Sequence, residues 1–246
     1  MSLADPRTAI VTGAGKRVGE RIAVALVEDG WTVVAHVRRA DDAVPAGTIR
    51  VVAELGEEDC AGRIFAAADG LPPVRLLVNN AAMFDWDGVG AFDPRQFDAH
   101  MAVNLRAPVL LTEALAAVHR GGEQALVVNM LDAKLAAPNP DFLSYTLSKQ
   151  GLAGFTEMAA RGLADRGIRV NAIAPALMLR SPGQSEENFR AMHAATPLGR
   201  GAEPEHVVAA LRYLIDSPAV TGQTLVIDGG QRFWSPSRDV QFLERR

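Results

Sequence analysis

A tyrosine and a lysine stand four positions apart, as Tyr145 and Lys149, in the segment SYTLSK. On a helix this spacing places the phenol and the ammonium on one face, about one turn apart. A nearby ammonium stabilises a phenolate. The spacing therefore predicts a pKa for Tyr145 below the ordinary value of about 10, and proton exchange near neutrality. The alternative interpretation is a surface lysine beside a half-buried tyrosine.

A glycine-rich turn, TGAGKRVG at positions 12–19, follows the first apolar segment and opens a helical pattern. Glycines let backbone amides approach a phosphate closely, and a helix N-terminus presents unpaired N–H groups at its positive dipole end. Such a turn alone is equally consistent with a plain strand-to-helix connection, but its position after the first strand favours a phosphate site. We expect the dinucleotide contacts at Gly13, Lys16, Arg17, Val18 and Gly19.

The second apolar segment ends in His36-Val37-Arg38-Arg39. An acidic residue here would bind the ribose hydroxyls of NAD, whereas guanidinium groups suit a ribose 2′-phosphate. We therefore infer NADP(H), with Arg38 and Arg39 at the phosphate. The alternative is that both arginines are solvated loop residues, because Asp41 and Asp42 follow and the local charge is mixed.

Apolar segments alternate with longer helical patterns along the chain. The apolar segments are nearly continuous, as in strands covered by helices on both faces, and span 8–12, 32–37, 48–52, 76–79, 125–129, 169–173 and 224–227. The helical patterns span 17–29, 57–69, 93–119, 142–164 and 204–215. This alternation predicts an α/β fold: a Rossmann-like, doubly wound, seven-stranded parallel sheet in a single domain of residues 1–246.

One stretch, 177–201, is irregular, with two prolines, three glycines and a short polar helical pattern. It is long enough to form a mobile lid over a substrate pocket.

Composition narrows the classes of partner. The 246 residues carry a formal net charge of −4, and the adjacent arginines are confined to positions 38–39 and 245–246, which argues against nucleic acid and membrane binding. No apolar run reaches about 20 residues and the first residues do not form a signal peptide, so we expect a cytoplasmic protein. Cys60 is the single cysteine and the five histidines lack ligand spacing, so we expect no disulfide and no metal.

These motifs together resemble the short-chain dehydrogenase/reductase family from about residue 8 to residue 230. The matching pieces are the Thr12-Gly13 turn, Asn79-Asn80-Ala81-Ala82, Asn104, Tyr145 with Lys149, Arg169-Val170-Asn171 before Pro175, and Thr221-Gly222 followed by Asp228-Gly229-Gly230. The resemblance implies that Tyr145 donates a proton, that Lys149 holds the nicotinamide ribose and lowers the tyrosine pKa, and that Asn104 anchors a water in a proton relay. It also implies a homodimer or homotetramer, and further cofactor contacts at His36, Glu54, Leu55, Asn80, Ala81, Ala82, Met130, Tyr145, Pro175, Ala176 and Leu177.

Three positions depart from the general family pattern. Arg17 stands where the family usually has glycine, Asp132 replaces the serine 13 residues before the tyrosine, and Ala176 replaces the glycine of a Pro-Gly pair. The first two departures resemble the pteridine reductase branch, which includes bacterial dihydromonapterin and dihydrofolate reductases. That likeness implies an NADPH-dependent reductase of a pterin-type substrate, which would contact Arg17, Phe84, Asp132, Tyr145 and Met178.

A carboxyl group at position 132 suits reduction of a C=N bond. That reaction needs a proton at a ring nitrogen, and a carboxyl group can share or relay a proton where a serine hydroxyl cannot act as an acid. Burial near the cofactor raises the pKa of such a carboxyl. The alternatives are that Asp132 is a turn residue bonded to nearby backbone, that Arg17 contacts only the diphosphate, and that Phe84 belongs to the core.

Two other functions fit parts of the sequence. A carbonyl reductase acting on a 3-oxoacyl thioester or a sugar ketone needs a serine-like hydroxyl, which position 132 lacks. A non-catalytic NADP-binding regulatory protein has no need of the complete set of Asn104, Tyr145 and Lys149. Trp86 and Trp234 are expected either at the pocket mouth or in packing roles.

Overall fold

Seven strands form one sheet in the computed structural model, which describes residues 6–180, 184–234 and 237–243. They are β1 (Thr8–Val11), β2 (Thr32–Val37), β3 (Thr48–Val52), β4 (Val74–Asn79), β5 (Ala125–Met130), β6 (Ile168–Pro175) and β7 (Thr224–Ile227). Neighbouring strands are parallel, in the order β3-β2-β1-β4-β5-β6-β7, which confirms the predicted doubly wound sheet. The order reverses between β1 and β4, and such folds bind ligands at the carboxyl ends of the strands near that point.

Seven α-helices flank this sheet within the described residues. They are α1 (Arg17–Glu28), α2 (Cys60–Ala66), α3 (Pro94–Met101), α4 (Ala107–Val118), α5 (Leu143–Gly162), α6 (Glu186–Ala195) and α7 (Pro204–Asp216). A π-helical turn, Ala102–Arg106, joins α3 to α4. The start of α3 follows from its sequence, because the Asp93 carboxylate accepts a hydrogen bond from the Arg95 amide and Pro94 is the first helical residue.

Several predicted bounds differ from the observed ones. The predicted helix 93–119 is interrupted by the π-helical turn. The predicted helix 57–69 is reduced to α2, because the residues on both sides form turns closed by hydrogen bonds between residues three positions apart. β4 begins at Val74 because Val74 pairs with Thr8, and β6 extends to Pro175 because Pro175 pairs with Ile227. The irregular stretch 177–201 contains α6, and residues 181–183 of that expected lid lie outside the described residues.

Two apolar layers enclose the sheet, because neighbouring residues of a strand point to opposite faces. Val11 of β1 belongs to a layer with α1 and α7, where it joins Leu26 and Leu211. Ile10 belongs to the opposite layer, with Ile64 of α2 and Leu115 of α4. Burying a side chain of this size stabilises a fold by roughly 1.5–3 kcal/mol. These layers hold the strand ends, and the loops that follow them, in fixed positions.

One helical stretch of the described chain, Pro94–Val118, is long and apolar enough to cross a membrane by length and composition alone. Its most apolar window has a mean hydropathy of 1.4 and is 44% buried inside the protein. Leu111 and Leu115 of this stretch belong to the core beneath the sheet, as is typical of a core helix.

Candidate functional site

A cavity of about 450 Å³ opens at the carboxyl ends of β1, β4, β5 and β6. Most of the predicted site residues line it, although they come from five separate segments of the chain: Lys16, Arg17, Val18, Asn80, Ala82, Phe84, Met130, Asp132, Tyr145, Lys149, Pro175, Ala176, Leu177 and Met178. The strands therefore bring the predicted phosphate turn, the tyrosine–lysine pair and the unusual aspartate to one site.

Asp132 and Tyr145 are hydrogen-bonded to each other in this cavity. The Tyr145 hydroxyl donates to Asp132 Oδ2 at 2.9 Å, and the Lys134 amide donates to Asp132 Oδ1 at 2.8 Å. Asp132 thus also caps the short 3₁₀ turn Ala133–Ala136, as the alternative interpretation of a turn residue predicted. The geometry is compatible with both interpretations, because one carboxylate oxygen fixes the turn and the other faces the phenol, and the catalytic role of Asp132 stays a prediction.

Burial raises the pKa of Asp132 above its ordinary value, and the hydrogen bonds from Lys134 and Tyr145 oppose this only in part. A carboxyl in this position holds its proton to higher pH than an exposed aspartate does. The predicted direction of the aspartate pKa is therefore confirmed.

The predicted lowering of the Tyr145 pKa is wrong for the chain as it stands. Burial of the phenol and the adjacent Asp132 carboxylate raise its pKa well above the ordinary value. Lys149 does not offset them, because its ammonium lies 5.7 Å from the centre of the Tyr145 ring and donates instead to the Met130 carbonyl at 2.6 Å. Burial also lowers the pKa of Lys149 to about 8. In this state Tyr145 is a phenol, able to donate a proton.

Asp87, in the loop that follows β4, holds the start of the helix that carries Tyr145. Its carboxylate accepts hydrogen bonds from the Ser144 amide at 2.9 Å and from the Ser144 hydroxyl, and its backbone carbonyl accepts from the Phe142 amide at 2.7 Å. A buried carboxylate at a helix N-terminus satisfies unpaired amides and complements the helix dipole. Phe142, just before α5, has a left-handed backbone with φ of 56°, a strained conformation for a bulky residue.

Asn104 sits in the π-helical turn and is completely buried. Its side-chain oxygen accepts from the Met83 amide at 2.8 Å, and its side-chain nitrogen donates to the Met83 carbonyl and to Ser148 Oγ, both at 3.0 Å. The side chain therefore ties the loop after β4 to α5. The expected water anchor at Asn104 stays a prediction, because these bonds use both N–H donors of the side chain and one of the two acceptor sites of its oxygen.

The glycine-rich turn is packed too closely to carry side chains. A Cβ at Gly19 would lie 2.1 Å from the Gly13 carbonyl oxygen, and one at Gly15 would lie 2.5 Å from the Ala43 carbonyl oxygen. Lys16, the N-cap of α1, makes no capping hydrogen bond with its side chain, so the first amides of α1 keep their donors. A phosphate group fits such a cradle of exposed amides at a helix N-terminus. Ala81 packs under the turn, 3.0 Å from the position of a Gly13 Cβ.

Arg17 has a φ of 56°, in the left-handed region that favours glycine. The backbone conformation expected of a glycine is therefore retained with an arginine in place. Its guanidinium lines the cavity and donates to the carbonyl oxygens of Leu179 and Arg180, at 3.4 and 3.3 Å. Strain of this kind at a cavity wall is typical of a side chain with a function.

The residues predicted for the adenosine end lie outside this cavity. His36 is buried: its Nδ1 accepts from the Gly13 amide at 3.1 Å and its Nε2 pairs with the Ala53 carbonyl at 3.0 Å. Nδ1 thus fixes the glycine turn and Nε2 binds the segment after β3, so neither ring nitrogen remains for a cofactor. Burial also lowers the pKa of His36, which favours the neutral ring that this geometry needs.

The two arginines after β2 are exposed at the surface. Arg38 forms an ion pair with Glu54 at 2.7 Å, and the backbone amide of Arg39 donates to Asp42. Leu55 is buried in the core, so its side chain does not face a ligand. Arg38 and Glu54 neutralise each other in this state, which leaves the Arg39 guanidinium as the better candidate for a 2′-phosphate.

Phe84 forms part of an aromatic wall. Its ring stacks on Phe142 with centroids 4.2 Å apart and meets Tyr145 edge-on at 4.7 Å, while its side chain remains 39% exposed toward the cavity. It is therefore not ordinary core. Neither Trp86 nor Trp234 is among the residues that line the cavity, and Trp86 donates to Asp141 at 3.4 Å.

Sequence reasoning missed one wall of the cavity. The residues concerned lie after β5, after β6 or near the C-terminus: Leu131, Ala133, Lys134, Ala137 and Asn139 after β5, Leu179 after β6, and Gln231, Arg232, Asp239 and Val240 near the C-terminus. Lys134, two residues after Asp132, forms an ion pair with Asp239 at 3.0 Å. Lysine is rare in this arginine-rich chain, so the presence of Lys134 close to Asp132 could have indicated a site residue. No local sequence pattern distinguishes Asp239 from the other aspartates.

Comparison with known proteins defines the class. A family model described as enoyl-(acyl carrier protein) reductase matches residues 13–232. The 3-oxoacyl-[acyl-carrier-protein] reductase of Synechocystis is 28% identical over 94% of this chain and 98% of its own length. Human L-xylulose reductase is 34% identical over 93% of this chain and 97% of its own. The chain belongs to the short-chain dehydrogenase/reductase family of oxidoreductases, as its motifs implied.

Comparison with a solved structure makes the similarity within the family more specific. The FolM alternative dihydrofolate reductase 1 of Brucella suis, crystallised in complex with NADP, is 36% identical with a TM-score of 0.86. The match covers 95% of this chain and 97% of that chain. The resemblance to the dihydrofolate reductase type within the family is thus matched by a structural neighbour.

Proposed function

We propose that the protein is an NADPH-dependent reductase of pterin-type substrates, such as dihydromonapterin, dihydrobiopterin or dihydrofolate. The observation that carries the proposal is the partly buried hydrogen bond between Tyr145 and Asp132, at the position where the family usually has serine. The similarity to an alternative dihydrofolate reductase supports the same substrate class.

NADPH, when bound, supplies a hydride to the carbon of the substrate C=N bond. The amides at the start of α1, with Lys16, Arg17 and the glycines of the turn, are suited to its phosphates. Lys149, held by the Met130 carbonyl, is placed for the nicotinamide ribose, and Arg39 for the 2′-phosphate. The proposed contacts around the nicotinamide are Asn80, Ala81, Ala82, Pro175, Ala176 and Leu177.

Tyr145 and Asp132 supply the proton in this proposal. The Tyr145 O–H bond breaks as an N–H bond forms on the substrate ring, and the protonated carboxyl of Asp132 returns a proton to the phenolate oxygen. Burial favours this direction, because it raises the pKa of Asp132 above its ordinary value, so the carboxyl keeps its proton to higher pH than an exposed aspartate does. Phe84 provides a flat face for the substrate ring, and Arg17 and Met178 complete the substrate contacts.

The test is NADPH oxidation by the purified protein with 7,8-dihydropterins, 7,8-dihydrofolate and a panel of ketones. We expect turnover of at least one dihydropterin, and a loss of about a hundredfold in kcat for it in Asp132→Ser. Asp132→Asn, which keeps the size of the side chain but not its acid proton, is the matched variant. Turnover of ketones with none of any pterin contradicts the proposal.

A carbonyl reductase is the second candidate, because relatives named for 3-oxoacyl and xylulose reduction match nearly the whole chain. Position 132 decides between the two. A hydroxyl there suits a ketone, so an Asp132→Ser variant that retains or improves ketone turnover, with a ketone as the preferred wild-type substrate, favours this candidate.

The remaining predictions accompany the proposal. We propose a cytoplasmic, single-domain protein that forms a homodimer or homotetramer and uses the stretch 177–201 as a substrate lid. Size-exclusion chromatography with light scattering measures the oligomeric state directly. A monomer at assay concentration contradicts that part of the proposal.

A further inference from the structure

The C-terminal segment, residues 237–243, forms a wall of the cavity on the same side as Asp132. Asp239 and Val240 of this segment line the cavity. Lys134 donates from Nζ to Asp239 Oδ2 at 3.0 Å and to the Asp141 carbonyl at 2.6 Å. The Lys134 and Asp239 side chains are only 9% and 14% exposed, so this is an ion pair largely shielded from water.

Further contacts hold the C-terminal segment in place. The Arg238 guanidinium donates to both carboxylate oxygens of Asp141, at 2.7 and 2.9 Å, and the Asp239 amide donates to Asp141 Oδ2 at 2.9 Å. The Phe242 ring stacks on Phe142, with centroids 5.9 Å apart. Two-point guanidinium–carboxylate contacts are among the stronger and more directional ion pairs. The position of Asp239 is therefore fixed by contacts other than its own ion pair.

Lys134 connects this wall to Asp132 through two different groups. Its backbone amide donates to Asp132 Oδ1, while its side chain binds Asp239. The charged and titratable groups that face Asp132 are Tyr145 and Lys149 of α5, Lys134 of the 3₁₀ turn and Asp239 of the C-terminal segment. Asp141 and Arg238 form the next layer outward and neutralise each other.

We propose that Lys134 and Asp239 are positioning residues for Asp132: the ion pair closes the cavity wall and sets the pH at which the Asp132 carboxyl holds its proton. The inference rests on the proposed function for the role of that proton. It adds that residues 107 positions apart in sequence, Asp132 and Asp239, act on the same proton transfer.

The two charges act in opposite directions. The negative charge of Asp239 disfavours ionisation of Asp132 and raises its pKa, whereas the positive charge of Lys134 lowers it. Removing Asp239 alone therefore makes Asp132 lose its proton at lower pH, and removing Lys134 alone makes it keep the proton to higher pH. A loosened wall has a different signature, because water entering beside Asp132 lowers the pKa in either variant.

The experiment compares Asp239→Asn and Lys134→Met in the full-length protein. The first readout is the ¹³C chemical shift of the Asp132 carboxyl as a function of pH, assigned by its loss in Asp132→Asn. The second is the pH dependence of kcat for NADPH oxidation with a dihydropterin that the wild-type protein reduces. We expect the alkaline fall in kcat to move to lower pH in Asp239→Asn, with about threefold lower kcat above the midpoint. In Lys134→Met it moves to higher pH.

Two controls separate charge from structure. Arg238→Gln removes the clamp on Asp141 and so loosens the C-terminal segment, but it keeps both charges of the Lys134–Asp239 pair, so we expect its Asp132 titration to move less than in Asp239→Asn. Asp29→Asn breaks the exposed ion pair between Asp29 and Arg212, far from the cavity, and is expected to have no effect. Thermal unfolding of each variant checks that it is folded.

Titrations that move in the same direction in Asp239→Asn and Lys134→Met overturn the proposal, as does an equal shift in Arg238→Gln. The NMR titration needs neither substrate nor turnover. If no pterin is reduced but the Asp132 titration moves in opposite directions, the proposed function fails and the electrostatic coupling stands. If pterins are reduced and the titration does not move, the coupling fails alone.

Discussion

The two ends of the cavity are built in different ways. At the end proposed to bind phosphate, which we call the phosphate end, the cavity is lined by Lys16, Arg17 and Val18 of the glycine-rich turn, and the next strand supports that turn through His36. At the substrate end, the wall is assembled from the turn after β5, the start of α5 and the C-terminal segment. The first end uses backbone amides and the second uses side-chain charges.

This difference explains how each end tolerates change. A backbone cradle depends on the absence of side chains, so its specificity resides in close packing that almost any substitution disturbs. The substrate end depends on which charges lie beside Tyr145, so substitutions there alter the chemistry and leave the fold in place. Variants at the two ends are therefore expected to separate stability from activity.

The largest effect is expected from Gly19→Ala at the phosphate end. A Cβ would lie 2.1 Å from the Gly13 carbonyl oxygen and 2.5 Å from the Asn80 side chain, so the turn must open. We expect the free energy of unfolding to fall by more than about 2 kcal/mol and NADPH binding to be lost. Chemical denaturation and isothermal titration with NADPH measure the two effects.

Gly154→Ala is the matched control, since no atom lies within 4 Å of its Cβ position on α5. Alanine there is expected to raise the free energy of unfolding by about 0.5–1 kcal/mol. If Gly19→Ala binds NADPH with wild-type affinity, the close packing of the turn is irrelevant and the contrast between the two ends does not hold.

Prediction from sequence located an element correctly where its pattern lies in consecutive residues. The parallel sheet, the glycine turn and the tyrosine–lysine pair each have a local pattern, and the strand order brings them together at one edge. The role of His36 was not predictable, because it depends on its neighbours across the sheet, Gly13 and Ala53. The rise in the Tyr145 pKa comes from burial and from the Asp132 carboxylate. Neither can be inferred from the four-residue spacing of Tyr145 and Lys149.

The Lys134–Asp239 pair shows the same limit more clearly. An ion pair between residues more than a hundred positions apart leaves no periodic or motif signal in a single sequence. The Phe142 backbone, with its left-handed φ, was also unpredictable, since a bulky residue rarely adopts that conformation. Tertiary contacts from Asp87 and Phe84 hold it there.

An intermediate effect is expected from the arginines after β2. Arg39→Ala should reduce the preference for NADPH over NADH by about tenfold or more, because a charge-assisted contact to the 2′-phosphate is lost. Arg38→Ala should have the smaller effect, since Glu54 already neutralises Arg38 at 2.7 Å. Steady-state kinetics with each dinucleotide gives the ratio of kcat/KM values.

The control for this pair is Arg63→Ala, which breaks a comparable exposed ion pair with Asp59 away from the turn. It should leave the preference unchanged. A wild-type preference for NADH, or equal ratios in wild type and Arg39→Ala, contradicts the assignment of NADP(H).

A small effect on stability, and the sharpest test of the comparison, is expected at Arg17, where the two ends meet. Its backbone belongs to the phosphate turn and its guanidinium reaches the Leu179 and Arg180 carbonyls. Arg17→Gly relieves a left-handed arginine, worth about 1 kcal/mol, but increases the entropy of the unfolded chain by a similar amount. The free energy of unfolding should therefore change by less than about 1 kcal/mol, while KM for a dihydropterin rises about tenfold.

Arg17→Lys separates the two contributions, because it keeps the strained backbone and the charge but loses the forked donor of arginine. If the guanidinium recognises the substrate, Arg17→Lys resembles Arg17→Gly in its KM for the dihydropterin. If the residue serves only the diphosphate, both variants raise KM for NADPH and leave the dihydropterin KM unchanged. That outcome assigns Arg17 wholly to the phosphate end and moves the boundary between the two ends to Asn80, the first cavity residue beyond the glycine-rich turn.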